Sequence, residues 1–246
     1  MDLVVLGGVA FATSVLSAIV GMAGGIVLLS VMLLYLDPTT VIPLHGVVQL
    51  VANGSRTFIQ REHVDWGIAG PYALLLLPLG WLGIQLALSL PPDVIKASIG
   101  VFVLVATWRP AWLLLGTHPE GAPRFARFLT LGGVVGFLNV VIGATGPLIA
   151  PFFLNLGLGR QELIGTKAAC QTLGHVTKIL LYGLVGFGFG PYGWLLAGMC
   201  ALGVAGTAVG SRILEHVDER TFVRLYKVVL TVVALRLVSV ELWRIG

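Results

Sequence analysis

Long apolar stretches separated by short polar ones run along most of the chain. Eight such stretches can be drawn, at residues 3–36, 41–59, 67–90, 94–116, 125–158, 163–186, 191–211 and 222–243. Six of them have the length of one membrane-spanning helix, which needs about 20 apolar residues. The stretches 3–36 and 125–158 hold 34 residues each, too many for one straight helix across a hydrocarbon core of about 30 Å.

Each long stretch contains helix-breaking residues near its middle. They are Gly21-Met22-Ala23-Gly24-Gly25 in the first and Gly143-Ala144-Thr145-Gly146-Pro147 in the second. Clustered glycine and proline weaken an α-helix strongly. Both stretches are therefore predicted to be broken helices, as re-entrant hairpins or as pairs of short spans. In either form the chain returns to the side of the membrane from which it entered.

Composition makes lipid the natural solvent for this chain. Hydrophobic residues make up 57% of the 246 residues, charged residues only 11%, and the mean hydropathy is +0.97. A soluble domain carries about 25% charge. The net charge of +4 comes from basic residues in short loops, which is typical of membrane orientation rather than of nucleic-acid binding. We predict a multi-pass protein of the cytoplasmic (inner) membrane.

The basic loops set a predicted orientation. Basic residues concentrate in 56–66, 109–127 and 212–227, which the positive-inside rule places in the cytoplasm. The intervening loops carry at most one basic residue and are placed outside. Because the broken helices make no net crossing, the two halves of the chain are then inverted relative to each other.

A comparison of the two halves indicates a duplication at an offset of 122 residues. Between 16–60 and 138–182 there are 7 identities in 45 positions. The matched pairs are Gly21 with Gly143, Gly24 with Gly146, His45 with Lys167, Gln49 with Gln171, Asn53 with His175, and Arg56 with Lys178. The predicted fold is an all-α polytopic membrane protein of two inverted repeats, each with one broken or re-entrant helix and three transmembrane helices. That gives about 8 membrane segments and 10 helical pieces, with repeats at 3–116 and 125–243 and a linker at 117–124.

Two polar stripes fall on matched predicted helices. His45, Gln49, Asn53 and Arg56 share one helix face, and Lys167, Gln171, His175 and Lys178 repeat the pattern. All carboxylates lie at loops or at the ends of apolar stretches, which disfavours a cation pump. Basic and amide side chains beside broken helices predict a site for a small anion. Structural readings stay open: Arg56 and Lys178 can also reach the headgroups, and the histidines and glutamines can join helices.

Several segments, in order along nearly the whole chain, resemble the TauE/SafE family of sulfite exporter-like permeases. They are Gly21–Gly25, Gly143–Pro147 with Pro151, His63-Val64-Asp65-Trp66, Gly165-Thr166 and Asp218-Glu219-Arg220-Thr221-Phe222. The resemblance implies export or import of sulfite, thiosulfate, sulfoacetate, sulfolactate or related anions. It also implies that Gly24, Gly25, Gly146, Pro147 and Thr166 line the central site. The family commonly has small hydroxyl residues where this chain has His45 and Lys167, and the added charge fits an anionic substrate.

Together these observations predict a secondary transporter that exports a small sulfur-containing anion, with the two histidines offering a route for coupling to protons. A passive anion channel is the alternative, since basic rings also serve channels. The chain has no GxSxG motif and no metal-ligand spacing, so we predict no enzyme, metal or cofactor. The predicted substrate-binding residues are Gly24, Gly25, His45, Gln49, Asn53, Thr145, Gly146, Pro147, Thr166, Lys167, Gln171 and His175. Lys167 is expected to supply fixed positive charge. The predicted partners are the anion, protons and the bilayer.

Overall fold

Helices make up all the regular structure of the described residues. A computed structural model describes residues 3–20, 23–114, 121–153, 156–213, 227–228, 230–232 and 234–239. The α-helices are α1 (Leu3–Val20), α2 (Ala23–Met32), α3 (Pro38–Ile59), α4 (Trp66–Leu74), α5 (Leu76–Ser89), α6 (Pro92–Trp108), α7 (Arg124–Val141), α8 (Gly146–Ile149), α9 (Arg160–Leu184) and α10 (Gly193–Ile213). The described residues between 227 and 239 are also helical. Short 3-10 turns occur at Arg61–His63, Pro110–Leu114, Ala150–Phe153 and Gly190–Tyr192.

Both long apolar stretches are divided where their glycines predict. The first divides into α1 and α2, and the second into α7 and α8. Helix α7 ends because Gly143 adopts φ +86°, a left-handed conformation that suits glycine and stops the helix. Gly24 and Gly25 lie in the first turn of α2, while Gly21 and Met22 lie outside the described residues.

One further division was not expected from the sequence. The stretch 67–90, predicted as a single span, forms α4 and α5, which bend by 42° relative to each other. Pro78 has no N–H to donate to the carbonyl of Leu74, so the helix is interrupted at Leu75. The prediction of 10 helical pieces is therefore wrong by one, and the described chain contains 11. The stretch 94–116 is also shorter as a helix, since α6 ends before Pro110.

Helices α3 and α9 pack against each other in the interior of the fold. Helix α1 packs mainly against α10, and α7 packs mainly against α4 and α5. The starts of α3 and α9, residues 38 and 160, are 122 residues apart. The helices that carry the two polar stripes therefore occupy corresponding positions in the two halves of the chain.

The outer surfaces of the described helices are apolar. Large exposed hydrophobic side chains include Leu82 and Leu88 on α5, Val101 on α6, and Trp194 and Val204 on α10. Such surfaces are costly in water and natural in lipid. By length and composition, two described helices can each cross a membrane, Arg124–Val141 and Gly190–Gly210, and the bent pair α4–α5 would make a third span.

Candidate functional site: a buried polar cavity

A cavity of about 30 Å³ lies between α3, α9 and the two chain breaks. Its lining is mostly polar side chains and closely approaching backbone. The lining residues are Gly25, Ile26, His45, Gln49, Asn53, Arg56, Tyr72, Val135, Asn139, Ala144, Thr145, Gly146, Pro147, Ile149, Gln171, Gly174 and His175. The volume admits only small groups in this conformation.

His45 links α3 to the start of α2. Its Nε2 lies 2.8 Å from the carbonyl oxygen of Gly25, and the His45 side chain is only 1% exposed. The ring of His175, from α9, meets the His45 ring edge to face with a centroid distance of 6.1 Å. The two polar stripes thus come together at this pair of histidines.

A pair of amide side chains extends the same surface along α3. Asn53 donates from Nδ2 to the carbonyl oxygen of Gln49 at 3.0 Å and approaches Gln49 Oε1 at 3.5 Å. A Cβ at Gly25 would lie 3.1 Å from Gln49 Oε1. The absence of a side chain at Gly25 therefore lets the backbone of α2 approach the Gln49 amide closely.

Lys178 holds the second chain break in place. It is fully buried, and its Nζ donates to the carbonyl oxygen of Gly143 at 2.8 Å and to Asn139 Oδ1 at 3.4 Å. Asn139 in turn donates from Nδ2 to the carbonyl oxygen of Gly174 at 3.0 Å. The possibility that Lys178 reaches the headgroups is wrong, because this side chain points into the protein interior.

Most of the predicted site residues line the cavity. Those that do are Gly25, His45, Gln49, Asn53, Thr145, Gly146, Pro147, Gln171 and His175. Their substrate-binding role stays a prediction, but the structure brings them to one place.

Three predicted residues lie outside the lining. Gly24 is buried beside Gly25. Thr166 is buried and its Oγ1 accepts a hydrogen bond from the backbone N–H of Asp65 at 2.9 Å, so it joins α9 to the start of α4. Lys167 shares a helix face with Gln171 but lies one turn nearer the start of α9, beyond the end of the cavity.

Three polar lining residues, Arg56, Tyr72 and Asn139, are not among the substrate-binding residues predicted from the sequence. Arg56 belongs to the polar stripe of α3, and Asn139 is a lone amide within an apolar stretch, which is itself a signal of function. Tyr72 has no such signal, because an aromatic residue in an apolar stretch is usually a packing residue.

The cavity is positively charged. Arg56 lines it, Lys178 lies next to it, and no carboxylate is among its lining residues. Within the described part of the chain, no acidic side chain forms an ion pair with either cation. The same residues include no cluster of His, Cys, Asp or Glu suited to a metal ion.

The exterior of the helices is apolar, and the cavity inside is lined by amides and a cation. This combination is typical of a membrane protein that binds a small polar solute. The family described as "Sulfite exporter TauE/SafE" matches residues 6–237, and the chain belongs to that family. It is also 28% identical over 243 residues to the "Probable membrane transporter protein ORF9" of Sinorhizobium sp, covering 94% of this chain and 90% of that protein. No solved structure matches the chain. The protein is therefore a membrane transporter.

Proposed function

We propose that the protein is a secondary transporter that exports a small sulfur-containing anion, such as sulfite, thiosulfate or a short organosulfonate, across the cytoplasmic membrane. The observation that carries this proposal is the cavity, whose lining combines the Arg56 cation and several amides with no carboxylate. Arg56 supplies positive charge, and Gln49, Asn53 and Gln171 supply amide donors. The sulfur chemistry rests on membership of the sulfite exporter family.

A carrier is favoured over a passive channel by the burial of the cavity. His45, Asn53 and His175 are 1%, 3% and 6% exposed, so part of the cavity lies deep in the protein, while Gln49, Arg56 and Gln171 in the same lining are half-buried. A binding site that reaches into a buried interior is typical of a carrier, whereas a channel needs a continuous open passage.

We also propose that the two halves, residues 3–116 and 125–243, are inverted repeats joined by a linker at 117–124, with eight membrane segments. The packing supports this arrangement. At the offset of 122 residues, α1 corresponds to α7 and the α4–α5 pair corresponds to α10. The packing of α1 against α10 is therefore matched by the packing of α7 against α4 and α5. Under this symmetry α3 and α9 are equivalent helices. On this proposal the cavity, which lies between α3 and α9, is at the interface between the repeats.

Transport in liposomes tests the function directly. Purified protein would be reconstituted and supplied in turn with labelled sulfite, thiosulfate and sulfoacetate, with sodium and a small amine as controls. We expect saturable anion uptake that accelerates when unlabelled anion is present on the opposite side. Cation flux without anion flux would contradict the anion assignment, and uptake without saturation or acceleration would favour the channel.

A matched pair of arginine variants links the flux to the cavity. Arg56→Gln should raise the KM for the anion about tenfold or more, since a hydrogen bond to a charged group is worth about 1.5–3 kcal/mol. Arg61→Gln removes the same charge from an exposed turn, where Arg61 packs on the Phe58 ring, and should leave KM unchanged. Equal effects of the two variants would argue against binding at the cavity.

A further inference from the structure

Three buried polar atoms at the cavity have no hydrogen-bond partner among the described residues. They are His45 Nδ1, His175 Nδ1 and the hydroxyl of Tyr72. These side chains line the same cavity and are 1%, 6% and 0% exposed. Buried polar atoms nearly always have partners. The convergence of three unpartnered atoms from α3, α9 and α4 indicates that a ligand supplies the partner.

The backbone fixes which nitrogen of His45 carries a proton. A carbonyl oxygen can only accept a hydrogen bond, so the 2.8 Å contact with the Gly25 carbonyl requires a proton on Nε2. In the neutral ring, Nδ1 is then an acceptor. An anion oxygen is also an acceptor and cannot bind there. A hydrogen bond between His45 Nδ1 and an anion oxygen forms only when one extra proton lies between these two atoms.

We propose that the cavity binds its anion together with one proton, held between His45 Nδ1 and an anion oxygen, and that the Tyr72 hydroxyl donates a second hydrogen bond to the same anion. This inference rests on the proposed transport function and adds its coupling chemistry. The proton arrives either on the imidazole or on the anion itself, and the stoichiometry is the same in both cases. Nothing is oxidised or reduced, and no covalent bond forms apart from the one to the proton.

The surroundings of His45 are cationic, which makes its protonation depend on the anion. The charged and titratable side chains close to His45 are His175 and Lys178 on α9, while Tyr72 on α4 and Arg56 near the other end of α3 line the same cavity. Those outside the lining on the surrounding elements include Glu162, Lys167, Cys170 and Tyr182 on α9, Asp37 before α3, Lys96 on α6 and Cys200 on α10. Asp37 pairs with Lys96 at the start of α3, away from the cavity. A proton on the buried His45 ring would lose hydration and be repelled by the nearby Lys178, and a bound anion offsets that penalty. The proton and the anion therefore bind cooperatively.

Calorimetry on the wild-type protein tests the inference without a variant. Binding of thiosulfate, which stays fully ionised near neutral pH, would be measured in buffers of different ionisation enthalpy. We expect uptake of about one proton per anion bound. We also expect affinity to fall by up to about tenfold per pH unit as the pH rises through the neutral range.

Histidine variants locate the proton. In His45→Gln, an amide N–H can replace the bond to the Gly25 carbonyl, while the titratable nitrogen is lost. We expect this variant to bind the anion more weakly, with an affinity that no longer depends on pH and with no accumulation driven by a pH gradient. His63→Gln, in the exposed turn at Arg61–His63, should behave like the wild type.

Tyrosine variants test the second contact. Tyr72→Phe should weaken thiosulfate binding by about three- to tenfold, while leaving proton uptake at about one per anion. The control is Tyr182→Phe, which loses a hydrogen bond to the Val140 carbonyl away from the cavity and should leave affinity unchanged.

The outcomes separate this inference from the function on which it rests. Thiosulfate binding without proton uptake, or a His45→Gln variant that still accumulates anion along a pH gradient, would overturn the inference alone. No binding of thiosulfate, sulfite or sulfoacetate by the wild type would overturn the transport function, and this inference with it.

Discussion

The two polar stripes match in sequence but differ in how the fold uses them. On α3, all four members of the stripe, His45, Gln49, Asn53 and Arg56, line the cavity. On α9, only the middle pair, Gln171 and His175, does so. The basic residues at the two ends of the α9 stripe lie elsewhere, Lys167 beyond the cavity and Lys178 against the second chain break.

This difference shows that side chains at matched positions of the two stripes have different surroundings. Arg56 and Lys178 correspond at the 122-residue offset, yet Arg56 faces the cavity and Lys178 binds the backbone at Gly143. The second break begins at Gly143, whose left-handed conformation ends α7, so the last carbonyl oxygens of α7 are left without helical partners. The basic residue at the end of the α3 stripe therefore faces the cavity, and the one at the end of the α9 stripe holds the break.

The largest loss of stability is expected from a substitution in the second break itself. Gly143→Ala places a Cβ at φ +86° and 2.9 Å from a methyl carbon of Leu29. Backbone strain and overpacking together should lower the free energy of unfolding by about 2–5 kcal/mol, measured by denaturation in mixed detergent micelles.

A second glycine provides the control for strain alone. Gly157 has φ +69°, and a Cβ at this position would have no atom within 4 Å, so Gly157→Ala should cost only about 1–2 kcal/mol. Equal losses in the two variants would mean that the packing of Leu29 against the break contributes nothing.

The next effect should come from the lysine that holds the break. Lys178→Met keeps a long apolar side chain against Gly46 but leaves the Gly143 carbonyl without its donor. We expect a loss of about 1–3 kcal/mol in the free energy of unfolding, partly offset because a buried charge is also removed. The maximal transport rate should fall about tenfold, which corresponds to about 1.4 kcal/mol, because the second break is no longer held in place beside the cavity.

Lys96 provides a matched lysine, because its side chain is also largely buried but pairs with Asp37 away from the cavity. Lys96→Met should therefore leave the maximal transport rate unchanged. If Lys178→Met transports at the wild-type rate, the contrast between the two stripes has no functional meaning.

Local signals in the sequence predicted the framework of the site. Clustered Gly and Pro marked both breaks, and polar residues at helical spacing marked α3 and α9, because each of these features is encoded within a few neighbouring residues. Pro78 is a local signal for the bend at Leu75. The bend was not predicted because a proline in an apolar stretch does not always divide a membrane span.

Long-range contacts could not be predicted in the same way. The contact of Lys178 with Gly143 joins residues 35 positions apart, and the direction of its side chain depends on how α7 and α9 pack. Tyr72 enters the cavity from a helix that carries no polar stripe. Only the folded arrangement assigns these residues to the site.

A smaller effect is expected at Thr166, which the family resemblance placed at the site. Thr166→Val is close in shape but cannot accept the hydrogen bond from the Asp65 N–H. We expect a loss of about 1 kcal/mol in the free energy of unfolding and no change in KM. Thr130→Val, at an exposed position on α7, should change neither quantity. If Thr166→Val raises the KM for the anion and Thr130→Val does not, Thr166 contributes to anion binding.

The smallest effect should come from Lys167, although the sequence alone favours it as the fixed charge of the site and predicts at least a tenfold loss of affinity on its removal. Lys167 lies one turn beyond Gln171, outside the cavity, so its charge acts only at a distance. We therefore expect Lys167→Ala to raise the KM for the anion less than about threefold, against about tenfold for Arg56→Gln. Measuring both variants in the same liposome assay tests the comparison of the two stripes directly. A tenfold rise in KM for Lys167→Ala would mean that the α9 stripe lines the anion pathway as fully as the α3 stripe does. That outcome would require another conformation of the protein, in which Lys167 faces the anion.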